Sequence, residues 1–125
     1  MGIWDVFQKY VEGMNKDDVI WYQNDYDAVK NGNKHHAHPE VVSHLGVIRK
    51  AIETPNEVRQ DKDSSNKRCY YAWFSGDKTY PNNHMKVVIA LTWYGKLKVV
   101  TAYFTNHLSS NEQTIWPNTQ TQMKN

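Results

Sequence analysis

The sequence predicts an α+β domain in which N-terminal helices cover one face of an antiparallel β-sheet. Apolar residues with helical spacing dominate the part of the chain before residue 54, and runs rich in Val, Ile, Thr and aromatic residues follow after residue 56. Helices followed by strands are typical of α+β folds. The length of 125 residues is enough for a core of one domain.

Two helices are predicted before residue 31. The first covers residues 3–14, and the second covers residues 16–30, with Asn15 as its cap and the polar run 31–34 as its end. Apolar residues of the first helix recur at spacings of three and four: Trp4, Phe7, Val11 and Met14.

A third helix is predicted from Pro39 to Glu53. Proline suits the first helical position, where no backbone N–H is needed. A stripe of four apolar residues would pack on the sheet: Val41, Leu45, Ile48 and Ile52.

The remaining chain predicts strands separated by polar loops. They are expected near 57–61, at 67–74, in a hairpin over 84–105, and near 114–116. The single cysteine, Cys69, lies in one of these strands and excludes an internal disulfide. It is interpreted as a small half-buried residue, with a nucleophile as the alternative.

The predicted hairpin carries polar groups among apolar ones. A two-residue turn at Tyr94 and Gly95 would pair Lys86 with Tyr103 and place Thr101 on the same face, since side chains alternate along a strand. An ammonium, a phenol and a hydroxyl together can bind an anion. The alternative is an ordinary sheet surface, because Thr is common in strands and Lys often extends from an edge.

Two further groups of side chains suggest chemistry. His35, His36 and His38 precede the third helix. They could form a solvated loop, supply a general base or acid, or bind a metal, although no second Cys or His cluster completes a zinc site. Arg59 and Asp61 alternate onto one face of a short strand and could form an ion pair, or Arg59 could hold a phosphate.

Composition limits the classes of function. The formal net charge of +2 is compatible with a nucleic-acid partner but does not require one. No run approaches the roughly 20 apolar residues of a membrane span, and the N-terminus lacks the regions of a signal peptide. We therefore expect a cytoplasmic site of action with no membrane association.

The order of motifs resembles a known superfamily. A His-x-x-His-Pro-Glu-Val segment opens a helix that ends in Thr-Pro-x-x-Val-Arg-x-Asp, and Tyr-Tyr, Met-Lys-Val-Val, Val-Val-Thr-Ala-Tyr-Phe and Ile-Trp follow. This pattern is similar to the small phage- and toxin-associated nucleases of the barnase–EndoU–colicin–RelE-like superfamily. The resemblance covers 35–116 as a nuclease core, with 1–34 as an N-terminal helical extension and 117–125 as a polar tail.

The resemblance implies a metal-independent endoribonuclease without cofactors, in which helices pack on a four-stranded antiparallel sheet. The implied products are a 2′,3′-cyclic phosphate and a 5′-hydroxyl. The implied substrate is RNA, and the specific case is a toxin that cleaves tRNA. Such a toxin would be bound by an immunity protein or antitoxin. We expect the protein to be a monomer. Carried onto this sequence, the catalytic residues are His35 or His38, Lys86 and Thr101, and the substrate-binding residues are Arg59, Tyr103, Trp73 and Tyr71.

Two alternatives remain open at the level of sequence. One is a non-catalytic RNA- or protein-binding module of the same fold, such as a phage-encoded inhibitor. The other is an unrelated small metal-binding or structural protein.

Overall fold

Seven strands form one mixed β-sheet in the computed structural model, which describes residues 2–9, 17–32, 38–75, 82–106, 108 and 111–116. Their order in the sheet is β1-β2-β6-β5-β4-β3-β7. Strands β2 and β6 are parallel over two residue pairs, and the other neighbours are antiparallel. The strands are β1 (Ile3–Lys9), β2 (Asp17–Tyr22), β3 (Glu57–Gln60), β4 (Lys67–Ser75), β5 (Asn82–Leu91), β6 (Leu97–Thr105) and β7 (Gln113–Trp116).

Three helical segments pack on one side of this sheet, which we call the helix face. They are α1 (Gln23–Asn31), a 3₁₀ helix (Pro39–His44) and α2 (Leu45–Glu53). Among the described residues, no helix is long and apolar enough to cross a membrane. The core contains buried residues of the helices and the central strands, among them Val41, Ile48, Ala51, Ile52, Tyr70, Ala72, Met85 and Val87.

The predicted fold class is wrong. The sheet has seven strands in mixed orientation instead of four antiparallel ones, and the N-terminal region supplies two strands and the single helix α1 instead of two covering helices. The strands predicted after residue 56 are present as β3 to β7. The error therefore lies in the first third of the chain and in the extent of the sheet.

A β-bulge explains why the start of the predicted helix 3–14 resembles a helix in sequence, while its residues 10–14 lie outside the described ones. Residues 3–9 form β1, and its pairing with β2 shifts register between Ile3 and Asp5. The bulge interrupts the alternation of faces. As a result Trp4 and Phe7, three residues apart, both pack against the main core. In the sequence this spacing mimics a helical turn.

The segment predicted as a second helix begins as a strand. Val19 and Trp21 alternate into the core from β2, as β-branched and aromatic residues favour. The helix covers Gln23–Asn31, and Gly32 follows with a φ of 76°, the left-handed conformation of a helix C-cap. The predicted helix is therefore confirmed from Gln23 to its end and wrong over 17–22, which form β2.

The third predicted helix is confirmed in position but divided in type. A 3₁₀ helix covers its first six residues, and α2 covers the rest. The predicted apolar stripe faces the sheet: Val41, Ile48 and Ile52 are fully buried, and Leu45 packs partly buried against them.

The hairpin of β5 and β6 has the predicted pairing. Lys86 faces Tyr103, and Val88 faces Thr101. Tyr70 and Ala72 of β4 point to the helix face, so Tyr71 between them points away from the helices, as do the residues paired with it on β5 and β6. We call this second side the polar face, and its central residues are Tyr71, Trp73, His84, Lys86, Thr101 and Tyr103.

The hairpin tip reaches this pairing by an unexpected route. The connection has three residues, 93–95, and Thr92 donates a 2.8 Å hydrogen bond from its backbone N–H to the carbonyl oxygen of Lys96. Gly95 has a φ of 83°, which favours glycine. A bulge beside Val88 then absorbs the extra residue.

Candidate functional site

Lys86 lies at the centre of the polar face. Its neighbours in register are Tyr71 on β4 and Tyr103 on β6. The ammonium nitrogen lies 5.8 Å from the centre of the Tyr71 ring and 5.6 Å from that of the Tyr103 ring. Aromatic rings attract cations at such distances. The two rings therefore help to hold the ammonium in place.

A buried carboxylate completes this centre. Glu112, which precedes β7, is 6% exposed. Its Oε2 atom accepts a 2.9 Å hydrogen bond from the Lys86 ammonium, and its Oε1 atom accepts one from the Tyr71 hydroxyl. The Cys69 sulfur lies 3.8 Å from Oε2. Pairing and hydrogen bonding are what a buried charge requires, and Glu112 has both.

Glu112 is not among the residues predicted from the sequence, because nothing around it signals a buried site. It lies in a polar stretch, between Asn111 and Gln113. The pairing of β7 with β3 brings this stretch back to the sheet. Only this tertiary arrangement places the carboxylate against Lys86.

The charge states of the centre follow from burial and from Glu112. Burial lowers the pKa of Lys86, but the hydrogen bond to Glu112 and further contacts outweigh it, so the pKa is raised. Burial and the same carboxylate raise the pKa of Tyr71. At neutral pH Lys86 is therefore a cation and Tyr71 a neutral donor.

Cys69 is a buried packing residue. Burial is the main cause that raises the pKa of its thiol to about 12. A thiol acts as a nucleophile in its deprotonated form, and Cys69 remains protonated at neutral pH. This agrees with its interpretation as a structural residue.

His38 reaches the same centre from another part of the chain. Its ring stacks on Tyr103 with ring centres 5.3 Å apart and planes 25° apart. Its backbone N–H donates a 2.7 Å hydrogen bond to the carbonyl of Val29, which anchors the segment before the 3₁₀ helix. The structure thus places His38 against the same tyrosine ring as Lys86, that of Tyr103. His35 and His36 lie outside the described residues.

Two further rings, those of Trp73 and His84, extend the site on the side of Lys86 away from His38. Trp73 and His84 are paired in register, with ring centres 4.8 Å apart, and His84 lies 6.2 Å from the Tyr71 ring. Together these groups form a continuous series across the polar face, which we call the ring row: Trp73, His84, Tyr71, Lys86, Tyr103 and His38.

The two aromatic residues of β4 that were predicted to bind a base differ in access. Trp73 is 42% exposed, whereas Tyr71 is 1% exposed and holds Glu112 through its hydroxyl. Stacking needs an open ring face. Trp73 can offer one, whereas Tyr71 is buried and donates its hydroxyl hydrogen bond to Glu112.

Arg59 and Thr101 lie beside the ring row. The Nε atom of Arg59 forms a 2.8 Å salt bridge with Glu57, which also accepts a 2.9 Å hydrogen bond from the Thr114 hydroxyl. Thr101 lies half-buried opposite Val88, two residue pairs along the hairpin from Lys86. The arginine is thus held at one side of the polar face, and the threonine is held near its centre.

Within the described residues, no three His, Cys, Asp or Glu side chains lie together as candidate metal ligands. The predicted metal alternative for the histidine cluster falls largely on residues outside them.

No protein-family model, curated protein or solved structure matches this chain.

Proposed function

We propose that this protein is a metal-independent endoribonuclease that cleaves unpaired RNA on its polar face. The observation that carries the proposal is that Lys86 and His38 each lie against the ring of Tyr103. A cation and an imidazole are the groups that assist cleavage of RNA by its own 2′-hydroxyl. The expected products are a 2′,3′-cyclic phosphate and a 5′-hydroxyl.

Lys86 is assigned to the phosphate. An ammonium has three N–H donors, and Glu112 accepts one of them. The Lys86 side chain is 14% exposed, so a phosphate oxygen that reaches it does so in a partly desolvated place. Electrostatic stabilisation of the transition state is strongest in such surroundings.

His38 is assigned to one of the two proton transfers. In the reaction the 2′-oxygen loses its proton and bonds to phosphorus, while the bond from phosphorus to the 5′-oxygen breaks and that oxygen gains a proton. Histidine suits either transfer because its pKa lies near neutrality. The nucleophile belongs to the substrate, so the chemistry does not call for a metal.

Trp73 is assigned to an unpaired base. We expect Trp73→Ala to raise KM for single-stranded RNA by about 5- to 150-fold, because stacking of one base on an aromatic ring is worth about 1–3 kcal/mol. Steady-state cleavage of a fluorescent oligoribonucleotide measures this. The matched control is Trp93→Ala at the hairpin tip, since Trp93 is 95% exposed. Equal KM values for the two variants would contradict the assignment.

The motif resemblance narrows the proposal further. It favours tRNA as the target and a toxin with a dedicated immunity protein or antitoxin as the biological setting. A partner of that kind would have to cover the polar face to block cleavage.

Incubation of the pure protein with tRNA and with single-stranded RNA in EDTA tests the proposed activity. We expect discrete cuts whose ends are 2′,3′-cyclic phosphate and 5′-hydroxyl. His38→Asn should lower kcat by about 10²- to 10⁴-fold, the usual contribution of a general acid or base. Intact RNA from pH 5 to 8 would rule out cleavage of these substrates.

A second candidate function is a non-catalytic RNA-binding module. The observation that favours it is the salt bridge of Lys86 with Glu112, which already neutralises the central cation. Binding of single-stranded RNA without cleavage, weakened by Trp73→Ala, would support this module over the nuclease.

A further inference from the structure

His84 is a second imidazole on the polar face. It lies two residues before Lys86 on β5, a distance of about 6.6 Å along the strand. His38 approaches Lys86 from a different direction, across β6 and the Tyr103 ring. A phosphate held at Lys86 would therefore have one imidazole along the strand and another across the sheet.

The surroundings of His84 favour its neutral form. Its Nδ1 atom is buried and has no hydrogen-bond partner among the described residues, which leaves Nε2 as the atom for proton exchange. Burial is the largest cause that lowers its pKa, Arg59 lowers the pKa further, and Glu57 opposes them. The titratable and charged groups that share its face are Glu57 and Arg59 on β3, Cys69 and Tyr71 on β4, Lys86 on β5, Tyr103 on β6 and the Glu112 carboxylate that binds Lys86 and Tyr71.

We infer that His84 is the second proton-transfer residue of the site and accepts the proton of the 2′-hydroxyl, while His38 donates a proton to the leaving 5′-oxygen. The inference rests on the proposed function. In the balanced step, the 2′-oxygen gives its proton to His84 and bonds to phosphorus. The bond to the 5′-oxygen then breaks, and that oxygen receives the proton of His38. A neutral imidazole is the form that a base requires.

The position of Trp73 supports this assignment. The indole that would stack the base lies next to His84, with ring centres 4.8 Å apart, and away from His38. We place at Trp73 the base on the 5′ side of the scissile phosphate, whose ribose carries the attacking 2′-hydroxyl. His84 is thus the imidazole closer to the expected nucleophile.

A substrate with sulfur in place of the bridging 5′-oxygen separates the two roles, because a thiolate leaves without being protonated. We would compare the wild type, His38→Asn and His84→Gln on the oxygen and sulfur substrates, with thermal unfolding as a control for folding. Both variants should be about 10²- to 10⁴-fold slower on the oxygen substrate. On the sulfur substrate only His38→Asn should recover.

The pH profile gives a readout that a structural role would not change. Because a base must be deprotonated, kcat/KM of the wild type should rise with pH through a pKa below 6.5, the ordinary value for histidine. That limb should vanish in His84→Gln. If this variant does not fold, an NMR titration of the wild-type histidines should show the same lowered pKa for His84, and it should change when a 2′-deoxy oligonucleotide binds.

The possible failures are distinguishable. Three results would each overturn the inference alone. The first is a His84→Gln variant with the cleavage rate and the pH profile of the wild type. The others are recovery of this variant on the sulfur substrate and a pKa of His84 that does not change when the oligonucleotide binds. An inactive wild type on both substrates would overturn the proposed function and the inference together.

Discussion

Loss of the Lys86 ammonium should lower kcat/KM for RNA cleavage by about 10²- to 10³-fold, the usual cost of removing one donor to a developing anion. The single variant Lys86→Ala would also leave Glu112 buried without its cation. We therefore place Lys86→Met in a Glu112→Gln background, where neither side chain is charged. The loss is measured against Glu112→Gln alone.

Two controls define the result. Lys50→Met removes an exposed lysine of α2 and should leave cleavage at the wild-type rate. Circular dichroism should show the same folded spectrum for the double variant and its background. A double variant that cleaves as fast as Glu112→Gln would show that the ammonium does not act on the phosphate.

Removal of the Glu112 carboxylate should have the largest effect on stability. We expect Glu112→Ala to lower the free energy of unfolding by about 3–5 kcal/mol, since it leaves the buried Lys86 cation and the Tyr71 hydroxyl without their acceptor. Urea denaturation at pH 7 measures it. The double variant Lys86→Met/Glu112→Leu, which replaces both charges with apolar groups, should be far less destabilised.

The pH dependence of this contribution has a definite sign. The pKa of Lys86 is raised in the folded protein above the ordinary 10.5. Its stabilisation is therefore complete below that value and declines as pH rises through the raised pKa.

A loss of less than about 1 kcal/mol in the free energy of unfolding for Glu112→Ala at pH 7 would contradict a buried pair and indicate a solvated one.

Sequence reasoning predicted the elements whose local pattern matches their final structure. The stripe of α2 and the alternating strands β4 to β6 each bury the residues that their periodicity selects. The prediction failed for the N-terminal strands because tertiary contacts determine their conformation. Trp4 stacks on Tyr26 of α1 with ring centres 3.9 Å apart, and the bulge beside Trp4 hides the strand alternation.

The candidate site, like the fold, was predictable only where a local sequence pattern determines the structure. Lys86, Tyr103 and Thr101 share a face because strand alternation dictates it. The approach of His38 depends on how the 3₁₀ helix meets β6, and that of Glu112 depends on the β3–β7 pairing. Neither contact leaves a periodic signal in the sequence.

The bulge beside Val88 makes the hairpin tip independent of the ring row. A two-residue tip without a bulge and a three-residue tip with one lead to the same partnership of Lys86 with Tyr103. The tip is therefore a natural point for insertion, where a fluorophore or an affinity tag next to the exposed Trp93 would report on the protein while the register at the site is preserved.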